Sequence, residues 1–117
     1  MTASINRGLA GKDHLDRTLA ALADPDRRRA VDLLRQEPRR AGELAAILGL
    51  APPTMSRHLR VLRECGLVEE THPDFDARIR IYTLRPEPMA ELKAWLEETE
   101  QLWTRQLTAF KARVEGN

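Results

Sequence analysis

The stretch Pro52-Pro53-Thr54-Met55-Ser56-Arg57-His58-Leu59-Arg60-Val61-Leu62-Arg63-Glu64-Cys65-Gly66-Leu67-Val68 decides how this chain folds. At 100° per residue, Met55, Leu59 and Leu62 cluster within ~60° and must face a core. Arg57 and Glu64 point almost directly away from them. Arg60 lies at one edge of that outward face and Thr54 near the other, with Ser56 and Arg63 further round. The spacing predicts a helix over about 53–65, opened by prolines and stopped at Gly66. Beyond Gly66 the apolar period changes from 3.6 to 2. Leu67-Val68 starts one strand, and Ile79-Arg80-Ile81-Tyr82-Thr83-Leu84 alternates like a second. Residues 71–77, with Pro73, Asp74 and Asp76, read as the hairpin loop between them.

Upstream, residues 41–48 form a short helix with Leu44, Ile47 and Leu48 on one side, and Gly49 can take the left-handed conformation that closes it. Before it, Ala30, Val31, Leu33 and Leu34 give another helix a buried stripe. Asp24 caps that helix, Pro25 sits in its first turn, and Pro38 ends it. Leu15, Leu19 and Leu22 recur at helical spacing from Asp13. Residues 1–11 read as a flexible tail. Pro86 and Pro88 break the strand pattern. A last helix over 87–114 then carries Met89, Leu92, Leu96, Trp103, Leu107, Phe110 and Val114. Two short helices joined at a Gly-containing turn, followed by a two-stranded ribbon, predict a mainly α fold with a small β-hairpin: a winged helix-turn-helix, one domain over 12–117.

Composition fits one domain. The chain has 117 residues, 42% hydrophobic and 32% charged, with a formal net charge of +1. That +1 hides a basic block. Residues 27–63 carry nine Arg against Asp32, Glu37 and Glu43, a local +6, while 1–26 sum to −1 and 64–86 and 87–117 to −2 each. No acid lies between Thr54 and Arg63. A helix face of Arg, Thr and Ser suits a major groove. There Arg pairs with guanine O6 and N7, while Ser and Thr reach base edges or phosphates. Arg27, Arg28, Arg29, Arg39 and Arg40 are placed to neutralise phosphates on either side. The longest apolar run, eight residues, is far short of the ~20 that a membrane span needs. No signal peptide is visible, and a lone Cys65 permits no intrachain disulfide, so a cytoplasmic location is expected. No nucleophile–base pair, paired-carboxylate motif or phosphate-binding glycine loop is visible, so no enzymatic activity and no cofactor are expected.

Three segments carry a family likeness: Leu22-Ala23-Asp24-Pro25-Asp26-Arg27-Arg28-Arg29, Gly42-Glu43-Leu44-Ala45, and the run from Ser56 to Val68. They resemble the ArsR family of bacterial repressors, and the resemblance covers residues 13–114. It implies a homodimer that binds a pseudo-palindromic operator and is released by an inducer, with the first and last helices as the interface. Leu15 and Leu19, with Leu92, Leu96, Trp103, Leu107 and Phe110, are the candidate interface residues. The length and apolar breadth of the last helix independently favour a second copy as its cover. Carried over position by position, Thr54, Ser56, Arg57 and His58 are the DNA-facing residues, joined by Arg60, Arg63 and the wing residues Arg78 and Arg80. Two departures stand out. Pro52 occupies a position that is often polar, such as Gln, in the family. The wing tip reads His72-Pro73-Asp74-Phe75-Asp76, where many relatives are rich in Gly and Arg.

Many ArsR relatives sense metals through Cys pairs or through His and Asp on the last helix. This chain has no Cys over 39–46 and neither His nor Cys over 87–117. His58 and Cys65 lie on nearly one face of their helix, but seven residues apart, ~10.5 Å along its axis, too far for one ion. No metal site is therefore assigned. Two alternatives stay open beside the DNA-binding regulator: a metal- or thiol-responsive repressor using Cys65 or the histidines, and a protein-interaction module built on the last helix.

Overall fold

The computed structural model describes residues 13–116; the predicted tail over 1–11 lies outside them. The first helix, α1, is helical over 13–22. It is followed by α2 (Pro25–Gln36), β1 (Arg39–Arg40), α3 (Ala41–Leu48), α4 (Pro52–Glu64), β2 (Val68–Thr71), β3 (Ile81–Leu84) and α5 (Pro86–Glu115). The three strands form an antiparallel sheet in the order β1-β3-β2.

The helix boundaries follow from local chemistry. Asp24 sits in extended backbone ahead of α2, and its Oδ1 accepts from the Asp26 and Arg27 amides at 2.8 and 3.2 Å. These bonds satisfy donors that have no partner within the helix. They also hold the Asp24 carboxyl below its ordinary pKa, the Arg27 amide contributing most. Gly49 closes α3 and Gly66 follows α4, at φ +68° and +78°. Pro86, expected to precede the last helix, sits with Pro88 in its first turn. A missing N–H removes no intrahelical bond there.

The core joins α2, α3, α4 and the sheet. Met55, Leu59 and Leu62 are fully buried, as their spacing requires, against Ala30, Val31, Leu34, Leu44, Leu67 and Val68. Burying side chains of this size stabilises the fold by about 1.5–3 kcal/mol each.

Four details depart from the sequence reading. Ile47 is 53% exposed, so α3 buries Leu44 and Ala45 instead. The core face of α1 is Thr18 (0% exposed) and Ala21, whereas Leu19 remains 39% exposed. Thr18 tolerates burial because its hydroxyl donates to the His14 carbonyl at 3.1 Å. The second wing strand begins at Ile81, not Ile79, because the Ile79 amide is drawn to the Asp76 carbonyl in a turn. Finally, β1 adds a third strand, pairing Arg39 with Tyr82 and Arg40 with Ile81.

Candidate nucleic-acid interface

With Met55, Leu59 and Leu62 locked inward, α4 presents Ser56, Arg57, Arg60 and Arg63 to solvent, with Thr54 half-buried beside them. Arg57 Nη2 donates to Thr54 Oγ1 at 3.3 Å, an i,i+3 contact on the helix surface. The first turn of α4 contains no acid, and Ala51 provides no side-chain cap. The positive end of the helix dipole is therefore uncompensated beside these residues.

His58 lies on a different flank of α4 from Arg57. It is half-buried, its Nδ1 3.4 Å from Arg27 Nη1 on α2. Asp24, Asp26 and His58 place one potential ligand atom each within 4.8 Å of one another, the one such group among the described residues. This cluster joins the start of α2 to α4 and was not anticipated from the sequence, where His58 lies 34 and 32 positions from the two aspartates.

The basic block divides in two. Arg27 Nε donates to the Ala21 carbonyl at 2.6 Å, and Arg28 Nη1 to the Leu22 and Ala23 carbonyls at 2.9 and 3.1 Å. Arg39, with a side chain 12% exposed, donates to the Leu33 carbonyl at 3.3 Å and Gln36 Oε1 at 3.0 Å. These three arginines, expected to flank DNA, cap the carbonyl ends of α1 and α2, where cations favour the helix dipole. Arg57 and Arg60, by contrast, stay on the open surface of α4.

At the root of the wing, Glu70 gathers the remaining cations. Its Oε2 accepts from Arg63 Nη1 at 2.5 Å and from the Tyr82 hydroxyl at 3.1 Å. Its Oε1 lies 3.5 Å from Arg80 Nε and 3.7 Å from His72 Nε2. Glu70 and Tyr82 are direct cross-strand partners, which explains the meeting. Burial, then the Glu70 carboxylate, raises the Tyr82 pKa. At the wing tip Arg78 is held by Asp76, Nε to Oδ1 at 3.2 Å, and this bond lowers the Asp76 pKa. Arg63 of α4 and the wing arginines Arg78 and Arg80 are thus all ion-paired within the chain.

A basic helix fixed by its apolar side, following a short helix and preceding a wing, is the arrangement of a DNA-reading head. Residues 24–70 match the family model described as bacterial regulatory protein, arsR family. The HTH-type transcriptional regulator Rv2034 of Mycobacterium tuberculosis is 35% identical over 101 residues, covering 86% of this chain and 89% of that protein. The chain belongs to the ArsR family. Among solved structures, the ArsR family transcriptional regulator RHA00566 superposes with a TM-score of 0.71 at 30% identity, covering 80% of this chain and 93% of the other. The homodimeric winged helix-turn-helix DNA-binding domain (fragment 1–100) of Mb0332 from Mycobacterium bovis superposes with a TM-score of 0.65 at 28% identity, covering 86% and 90%. The family is one of transcriptional regulators, not enzymes.

Within this ArsR-family chain the histidines and Cys65 do not converge on a common point. His14 Nδ1 lies 2.6 Å from Glu91 Oε2, linking α1 to α5. His72 lies at the wing, its Nδ1 3.0 Å from the Ile79 carbonyl. Cys65 is buried, with Sγ 3.3 Å from the Leu62 carbonyl. Burial pushes its thiol pKa up, and neighbouring Glu64 adds only the smallest of the contributions. The Asp24, Asp26 and His58 group fits a cation poorly. Asp24 Oδ1 already accepts two amides, and the Arg27 guanidinium stands against His58.

Of the residues expected at a dimer interface, Leu19, Leu96, Trp103, Leu107 and Phe110 are exposed, and Leu15 and Leu92 are half-buried. Trp95, Leu102 and Val114 extend the same apolar exposure on α5. No described helix is long and apolar enough to cross a membrane.

Proposed function

We propose that this ArsR-family regulator is a cytoplasmic homodimer that represses by occupying a pseudo-palindromic operator. The observation that carries this reading is the face of α4. Three buried apolar residues fix the helix, and their opposite side offers Arg57 and Arg60 with Ser56 and Thr54. Arg57 reads a base edge in the major groove, and Thr54, Ser56 and Arg60 make further base or phosphate contacts. Arg63, Arg78 and Arg80 approach phosphates, each while still tethered to an acid. His58 acts through α2, holding the angle of α4.

The exposed apolar residues of α5, with Leu15 and Leu19 of α1, pack against a second copy. A dimer places two copies of α4 about one helical turn of DNA apart, roughly 34–36 Å, which a palindromic site matches. The test selects bound fragments from the source genome and titrates the recovered operator against Arg57→Ala. Loss of about 1–3 kcal/mol of specific affinity is expected of a base-reading arginine. Unchanged operator affinity removes Arg57 from that role.

A further inference from the structure

A cleft of about 360 Å³ opens between α1 and the last turns of α4, in the size range of small-molecule sites. Its apolar walls are Ala20 and Ala21 on one side and Val61 and Cys65 on the other. Three charged residues line it as well: Arg17, Arg27 and Glu64. Arg17 forms no ion pair among the described residues, and neither does Glu64. The Arg27 guanidinium is bonded to the Ala20 and Ala21 carbonyls and lies against His58 Nδ1. Among the lining residues two guanidinium groups thus face a single carboxylate beside an apolar floor, while Asp24, behind Arg27, feels the charge of that arginine.

We propose that this cleft is an effector site for small organic carboxylates with a flat or short apolar body. The carboxylate engages Arg17 and Arg27, a pairing whose strength grows in a partly desolvated setting. The apolar body lies along Ala20, Ala21, Val61 and the uncharged Cys65 thiol. Glu64 at the rim favours ligands that also carry a hydrogen-bond donor.

The position gives such a ligand a route to DNA binding. One wall is the α1 helix that carries Leu15 and Leu19. The other belongs to α4 itself, and Arg27 joins the C-terminal carbonyls of α1 to His58. A ligand drawing on the Arg27 guanidinium shifts α4 relative to α1. This regulatory role rests on the reading of the chain as a DNA-binding regulator; the site itself does not.

The test titrates the full chain with 2-naphthoate and octanoate, using the neutral 2-naphthamide as control, and follows backbone amide shifts by NMR. Saturable shifts at Ala20, Ala21, Val61 and Cys65 are expected, with the amide binding about tenfold more weakly, as a lost charged partner implies. Arg17→Gln reduces carboxylate affinity by a similar factor, and Ala20→Trp fills the cleft and abolishes it; Ala20→Leu serves if the larger substitution disturbs folding. Equal binding of acid and amide, shifts confined to α5, or no saturable binding overturns the site. A second arm measures operator affinity by fluorescence anisotropy. Release by 2-naphthoate in the wild type but not in Arg17→Gln supports the coupling, and a filled cleft with unchanged DNA affinity overturns it. A chain that binds no DNA counts against the regulator reading, and the NMR arm still decides the cleft.

Discussion

Arg63 of α4 and Glu70 of β2 form an ion pair across the junction of recognition helix and wing, and the Tyr82 hydroxyl donates to the same carboxylate oxygen. The Glu70 side chain is 14% exposed, so the pair sits partly out of water and resists salt better than a surface contact. One carboxylate therefore shortens the reach of two arginines toward phosphates.

Glu70→Gln should release Arg63 and Arg80. The expected outcome is tighter binding to random-sequence duplex, with the slope of log K against log salt steeper by about one phosphate contact. Discrimination between operator and random DNA should fall. Anisotropy titrations at several salt concentrations measure both quantities, and an unchanged slope would show that neither arginine gains a phosphate when freed.

The raised thiol pKa of Cys65 predicts slow chemistry. The thiolate is the nucleophile, and burial disfavours it. Iodoacetamide should label native Cys65 far more slowly than the urea-unfolded chain, and the native rate should rise only above the ordinary thiol value of 9.0. The sign follows from linkage. A pKa raised on folding favours the native state below the unfolded value, and that advantage is lost as pH climbs through the native one. Rapid labelling at neutral pH would point to a poised thiol.

Trp103 and Phe110 stand two turns apart on α5, 59% and 64% exposed. Replacing both with Glu should convert a dimer to a monomer in sedimentation velocity while helix content persists. Operator affinity should then fall steeply, because each head alone reads one half-site. A double variant that sediments like the parent would move the interface elsewhere.

The Asp24 cap predicts acid sensitivity. Its carboxyl titrates below the ordinary 3.8 because the Arg27 and Asp26 amides bond the ionised form. A depressed native pKa contributes stability above the unfolded value, lost as pH falls through the native one. Urea midpoints should therefore drop below about pH 4 more steeply for the wild type than for Asp24→Asn. Asn caps without titrating, and Asp24→Ala should be weaker at every pH. Parallel pH curves for Asp and Asn would show that the cap does not govern acid unfolding.

Much of this molecule could be read along the chain, and the reasons are local. Met55, Leu59 and Leu62 recur at the helical period, Asp24 precedes Pro25, and Gly49 and Gly66 supply left-handed turns. Each signal lies within a few residues of the element that it defines. What could not be read is long-range. Arg39-Arg40 has no alternation and becomes a strand only because β3 offers it a free edge. Arg27, Arg28 and Arg39 look like an ordinary basic patch until the ends of α1 and α2 come within reach of their guanidiniums. Glu70 reads as one more acid in the wing, yet it collects partners from positions 63, 72, 80 and 82. Thr18 is polar and buried because its hydroxyl finds a carbonyl one turn back. The face of α4 follows from sequence alone, whereas which of its cations are free to move requires the fold.

The two-residue strand β1 also has a mechanical meaning. By stitching the start of α3 to β3, it welds helix-turn-helix and wing into one lever. In a dimer built on α5, about 45 Å long at 1.5 Å per residue, the adjustable coordinate is then the separation and pitch of two stiff heads. A signal that alters that separation by a few ångströms throws both heads out of phase with the DNA helical repeat at once.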